Sequence, residues 1–327
     1  MPETSCSAQI SRPLITDLDR LSLPSPLSVP EVVVKHREEN PVLDLGALSF
    51  SRDASQWNRI DLSQREALVH VISRFARGME VAKDAIPMLS LAARRAGRKN
   101  AAIYSNIQND MDCIGRECRR YLREVALTWE LDSQAVKSSN FVAIFDTKLR
   151  SHIEKLKSLL EADDNPQLAK SRIMAESKLR VDLHLIAEGL GGITGVWGLN
   201  AAIRELRGNS NNEGVELPDL AALIGSITLV LRRNIAFGLS EWRELAKGSW
   251  WATMRSAVAE FREVKPSLNG MRKETFTRWE KFPFESINED ILAEVGRRRV
   301  FNWVGNYLLL AGVFRGEIKV ANLEDIL

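Results

Sequence analysis

Apolar residues recur every three to four positions along most of this chain, the spacing that lines one face of an α-helix, and nowhere do they alternate as a half-buried strand requires. The period predicts an all-α protein built on unusually long helices. Ser63 and Glu66 have capping-box spacing ahead of a run that ends near Gly97. A second helix is expected from about 99 to 130 and a third from about 133 to 162. Asn165-Pro166 opens a fourth, which ends near Gly208, and Pro218 stands where a first-turn proline belongs, starting a fifth that runs through Ala246. Two or three further helices fill 249 to 312.

The same pattern bounds the domain. Pro13, Pro24, Pro26, Pro30 and Pro41 interrupt residues 1–50, which read as an irregular segment packed on the body. Residues 51–315 form one helical domain with no Gly/Ser-rich linker to divide it, and 316–327 a short tail. Periodicity also assigns faces. Leu68, Ile72, Phe75, Met79, Ala82 and Ile86 share one side of the first long helix, and Ile103, Ile107, Met111, Ile114, Cys118 and Tyr121 one side of the second.

The fourth helix carries the chemistry. In the run 181–200 a single carboxylate, Glu188, stands among apolar residues such as Val181, Leu185, Ile193 and Trp197. A core carboxylate needs a partner, a metal or a proton, because desolvating its charge costs several kcal/mol. Gly189, Gly191 and Gly192 surround it, each costing about 1 kcal/mol against alanine in a helix interior. Their presence therefore implies close helix packing or access for a ligand.

Composition narrows the classes. The 327 residues are 45% hydrophobic and 27% charged, an ordinary globular balance, and a net charge of +2 gives no reason to invoke nucleic acid or an anionic membrane. Cys6, Cys113 and Cys118 lack metal-ligand spacing, and no run is apolar for long enough to span a membrane, so a cytoplasmic protein is expected.

Helical bundles place metals between facing helices with a Glu on each of two helices and Glu-x-x-His on the other two. The segments SFSRDASQW (49–57), FARGMEVAKDAIPML (75–89), IAEGLGGITGVWG (186–198) and RRNIAFG (232–238) together resemble, in order and spacing, the ribonucleotide reductase small-subunit superfamily. The resemblance is closest to its small-subunit-like ligand-binding oxidases and implies a ferritin-like bundle over roughly 45–310. It also maps the ligand positions, and here the chain departs from the family. Met79 takes the first Glu position, Met111 and Ile114 the Glu-x-x-His of the second helix, and Leu231 and Asn234 that of the last; Glu188 alone is retained. The covalent Val-Tyr bridge of the oxidases maps onto Ala82 and Leu183 and cannot form. Only Tyr104, Tyr121 and Tyr307 are tyrosines, none beside the Glu188 stretch, which speaks against a radical-bearing reductase subunit.

These departures lead to the expectation of no cofactor and no catalysis, with the chain acting as a homodimer or as partner subunit of a metal-bearing relative. Lys83, Arg233 or Arg232 would then neutralise Glu188. Two alternatives stand beside this reading. Asp110 or Asp112 could join His184 and Glu188, one turn apart on one helix face, in an iron or manganese site of an oxygen-activating oxidase. The glycine-rich, Trp197-bearing helix could instead line a pocket for an acyl chain or other apolar small molecule. Otherwise Asp110, Asp112 and Glu117 form a solvated face with Arg116, Arg119 and Arg120, and His70 and His152 are structural.

Overall fold

The computed structural model describes residues 48–97, 101–126, 140–161, 172–208 and 214–248, with 281–288 and a few single positions between 255 and 294. Within these there is no strand. A short helix α1 (Ser51–Gln56) precedes five long ones: α2 (Leu62–Arg95), α3 (Ala101–Tyr121), α4 (Asn140–Glu161), α5 (Arg172–Gly208) and α6 (Pro218–Gly248). The expected irregular segment 1–50, apart from its last three residues, and the tail 316–327 lie outside the described residues.

Local chemistry sets the helix ends, with some differences from expectation. Asp61, in place of the capping box at Ser63, caps α2: its backbone is extended and its carbonyl accepts the Arg65 N–H at 2.9 Å. Gly97 closes α2 with φ +68°, a left-handed conformation that glycine adopts without a Cβ clash. Pro218 opens α6 as expected. α3 ends earlier than expected, passing at Leu122–Ala126 into a π-helical turn that buries Leu122 and Val125.

Side-chain contacts give the topology. Lys83 meets Asp112 and Ser90 meets the Ala101 carbonyl, so α2 and α3 are antiparallel. The Tyr104 and Phe237 rings pack edge-to-face at 4.9 Å near one end of α3, while Tyr121 near the other end approaches the start of α6, so these two are antiparallel also. α5 and α6 form the third antiparallel pair, with Arg207 on Glu216 at 3.1 Å and Leu231 against Gly192. It follows that α3 and α5 run the same way on one diagonal of a four-helix bundle, while α4 lies outside against α5 and α2. This is the ferritin-like arrangement expected. Every residue of the two faces assigned from periodicity, Leu68 to Ile86 on α2 and Ile103 to Tyr121 on α3, is buried.

The core holds two polar layers. At one end Asp53 of α1, fully buried, accepts the N–H groups of Asp219 (3.1 Å) and Leu220 (2.8 Å) in the first turn of α6 and the Tyr121 hydroxyl at 2.9 Å. Asp219 answers by accepting the Asp53 N–H and the Arg52 guanidinium. Further along, Lys178 of α5 donates at 2.6 Å both to Asp182, one turn on, and to the Tyr104 hydroxyl of α3, with all three side chains buried.

Removing one member of a buried pair leaves the other charge without compensation, whereas replacing both by apolar groups is close to neutral. Lys178→Met is therefore expected to cost about 3–5 kcal/mol in urea unfolding, and the double change Lys178→Met with Asp182→Leu is expected to recover most of that loss. Equal stability of the two variants would show that the pair is not coupled.

Candidate metal centre

The described contacts bring helix positions that the resemblance marks as ligands to within about one turn of one another along the bundle. α3 and α5 run parallel and touch where the Tyr104 hydroxyl lies 3.4 Å from Asp182. Seven residues on, at about 1.5 Å of rise each, Met111 and Gly189 stand at equal height. Glu188 is therefore level with Met111. About one turn further along, Leu231 of α6 meets α5 at Gly192, and Met79 of α2 meets α3 where a Cβ placed on Gly115 would stand 3.4 Å from the Met79 Cβ.

Four of these six side chains are apolar and closed to solvent: Met79 is 5% exposed, Met111 6%, Ile114 0% and Leu231 5%. Asn234 differs from them. Its amide nitrogen and oxygen are both shielded from solvent and neither has a hydrogen-bond partner. An orphaned buried amide is costly, about 1–3 kcal/mol, and Asn234 is the one polar residue among the described side chains at these positions. Glu188 and His184 lie on α5, and Arg232 and Arg233 on α6, but their side chains are outside the described residues.

The glycines of α5 have a packing role. A Cβ on Gly192 would come within 2.9 Å of Leu231 Cδ1 and 3.5 Å of the Phe75 ring, and one on Gly195 within 3.1 Å of the same ring. Phe75 from α2 and Leu231 from α6 thus fill a notch that only glycine leaves open. Of the two roles expected for these residues, close helix packing is the one that Gly192 performs.

Several expected partners sit elsewhere. Lys83 donates to Asp112 at 2.8 Å on the outer side of α2 and α3, where both are more than a third exposed, so the carboxylate that Lys83 meets is Asp112 rather than the Glu188 expected. This contact raises the Lys83 pKa above its usual value and also turns Asp112 away from the core as a ligand. The expectation of a fully solvated acidic face needs correction. Asp110 and Glu117 are buried, Glu117 beside Arg120 at 3.1 Å and Arg116 at 3.6 Å, and Arg120 in turn stacks over Phe50 and donates to the Leu48 carbonyl. Burial pushes the Cys118 thiol up to about 12 and raises Cys113 also, so neither is activated as a nucleophile. Among the described residues no three or more His, Cys, Asp or Glu converge as a metal site.

Sequence reasoning missed both polar layers. Lys178 and Asp182 were legible as an i,i+4 pair, but Tyr104 lies 74 residues away and nothing local joins it to them. Asp53 lies in the SFSRDASQW segment quoted for the resemblance and gives no signal that it caps a helix 166 residues further on.

No protein-family model matches the sequence, and no curated protein matches it. Solved structures do match in shape. The R2-like ligand-binding oxidase from Sulfolobus acidocaldarius superposes with a TM-score of 0.69 at 17% identity, over 87% of this chain and 91% of that one. A variant of an R2-like ligand-binding oxidase with an anaerobically reconstituted Mn/Fe cofactor gives 0.67 at 14% identity, over 86% and 93%. This chain has the R2-like oxidase fold.

The comparisons overturn the expectation that no cofactor is involved, since R2-like oxidases of this fold carry a Mn/Fe cofactor. The described side chains of this chain fit a dinuclear shell of the R2-like kind badly. Two hard divalent ions require several anionic oxygens and imidazoles, and the thioethers of Met79 and Met111 and the alkyl groups of Ile114 and Leu231 supply neither. Of the six positions, Asn234 is the one whose described side chain offers an oxygen donor.

Gly192→Ala is expected to destabilise the bundle by about 1–3 kcal/mol in urea unfolding, the overpacking against Leu231 outweighing the better helix propensity of alanine. Leu231→Ala in the same chain is expected to relieve the clash and make the two changes strongly non-additive. Purely additive losses would contradict the contact.

Proposed function

We propose that this chain uses the R2-like fold to associate, with a second copy or with a metal-bearing relative of the same fold, and does not perform oxidase chemistry through a dinuclear ligand shell of its own. One observation supports the reading: Met79, Met111, Ile114 and Leu231, at positions that the resemblance marks as ligands, are apolar and buried, and Phe75 and Leu231 press into the α5 notch. A layer so filled resembles a repacked core more than a vacant site. The outer side of α2 and α3 carries Lys83 with Asp112 and Glu80 between Arg77 and Arg119, while Leu62 and Leu91 are the large exposed apolar residues described there. Association through this face would rest on charge pairs and weaken with salt. Among the described residues no helix is long and apolar enough to cross a membrane.

A second reading is favoured by the orphaned amide of Asn234. It is an oxygen-activating oxidase in which Asn234, Glu188 and His184 hold a single iron or manganese ion, with Asp110 as the buried carboxylate on α3 nearest this layer. An ion there would satisfy the amide oxygen and the Glu188 charge together.

Elemental analysis of protein purified from cells supplied with iron and manganese, together with its mass in solution, decides between them. The first reading predicts a mass of two or more chains and no stoichiometric metal pair. One ion per chain that disappears in Asn234→Ala supports the second reading, and two ions per chain contradict both.

A further inference from the structure

α1 and the residues beside it form a strap across one end of the bundle, held by apolar side chains, by Arg120 and Asp219, and at its centre by one buried carboxylate. Phe50, Trp57 and Ile60 bury their side chains against that end, with the Phe50 and Trp57 rings edge-on to Tyr121 at 5.1 and 6.2 Å. Arg120 stacks over Phe50 at 4.6 Å and donates to the Leu48 carbonyl. At the centre lies Asp53. It faces Tyr121 from α3, Asp219 and the first-turn N–H groups from α6, and no cation of its own; Arg52, the neighbouring base, is given to Asp219 and is 59% exposed. Glu117 and Glu124 pair with Arg120 on the far side of Phe50. Two buried carboxylates, Asp53 and Asp219, thus share a site with one mostly exposed guanidinium.

We propose that the strap is an acid-tightened latch, held more firmly when Asp53 carries a proton and loosened when it is ionised. In the closed state an Asp53 protonated on Oδ2 can donate to Tyr121 with the hydroxyl turned, and its carbonyl oxygen Oδ1 still accepts the Asp219 N–H. The ionised form keeps its three donors but holds a second negative charge beside Asp219 away from water. Desolvation, opposed by the two backbone N–H groups and Tyr121, raises the Asp53 pKa from 3.8 to about 6. Burial and Asp53 itself push Tyr121 well above its usual value, so the phenol stays protonated throughout. The sign follows from linkage. A carboxyl with a raised pKa in the closed state favours closure fully below the open-state value, and that preference is lost as the pH rises through about 6. Opening frees Asp53 into water, releases its proton, and exposes Phe50, Trp57 and the π-helical turn beneath.

Hydrogen exchange of the peptide 48–60 in the intact chain, expressed as protection relative to intrinsic exchange at each pH, tests the latch. The opening constant is expected to be about tenfold larger at pH 8 than at pH 5, from the difference between open and closed protonation. Asp53→Asn is expected to remove the pH dependence. Tyr121→Phe withdraws a donor from the carboxylate, so it should move the midpoint to higher pH while retaining the dependence, which keeps the test decisive if the Asn variant does not fold. Equal protection at both pH values in the unaltered chain, or an undiminished pH response in Asp53→Asn, would overturn the proposal.

Discussion

The contact on which the bundle depends is the seating of Phe75 and Leu231 in the notch left by Gly192 and Gly195. Three helices meet there, α2 through Phe75, α5 through its missing side chains and α6 through Leu231, and their separation is set by how closely an aromatic ring and an isobutyl group approach bare backbone. Helix packing distances follow the side chains at the contact, so this notch draws α2 and α6 onto α5. Met79 against Gly115 repeats the device between α2 and α3. The apolar layer is dense because glycine is placed on one side of each contact and a large residue on the other.

Polarity has been placed above and below that layer. Lys178, Asp182 and Tyr104 tie α5 to α3 across the diagonal, and Asp53 ties α1 to both α3 and α6. Groups such as these are costly to bury and contribute little net stability, but they admit few alternative registers, since a shift by one turn would leave an ammonium or a carboxylate without its partner. The central layer lacks any such specification among its described side chains except Asn234, whose two amide atoms find no partner. A protein that had wholly replaced a ligand site by core packing would be expected to lose that amide also. The unpartnered Asn234 amide is the observation behind the one-ion reading.

Much of this was legible in the sequence because helical periodicity reports burial directly. The faces of α2 and α3 emerge in full, Met79, Met111 and Ile114 are inward as their spacing requires, and Pro218 and Gly208 bound their helices. What stayed hidden is interaction at long sequence separation. Lys83 lies on the outer side of α2 and pairs with Asp112 of α3, a contact between residues 29 apart in sequence that local spacing does not reveal. Asp110 and Glu117 read as surface residues by their neighbours' charge, yet both are buried, and Glu117 pairs with Arg120 beneath Leu48 and Phe50. The lack of a cofactor was inferred from side-chain chemistry alone, and the shared fold of Mn/Fe oxidases corrects it.

The central claim is that the ligand layer is filled by this chain's own apolar side chains. Anomalous X-ray scattering at the manganese and iron edges, from crystals grown with both metals, tests it most directly. The account predicts Phe75 and Leu231 in contact with Gly192 and no pair of metal peaks between Met79 and Leu231. Two peaks in that layer, with those side chains displaced to admit them, would contradict it.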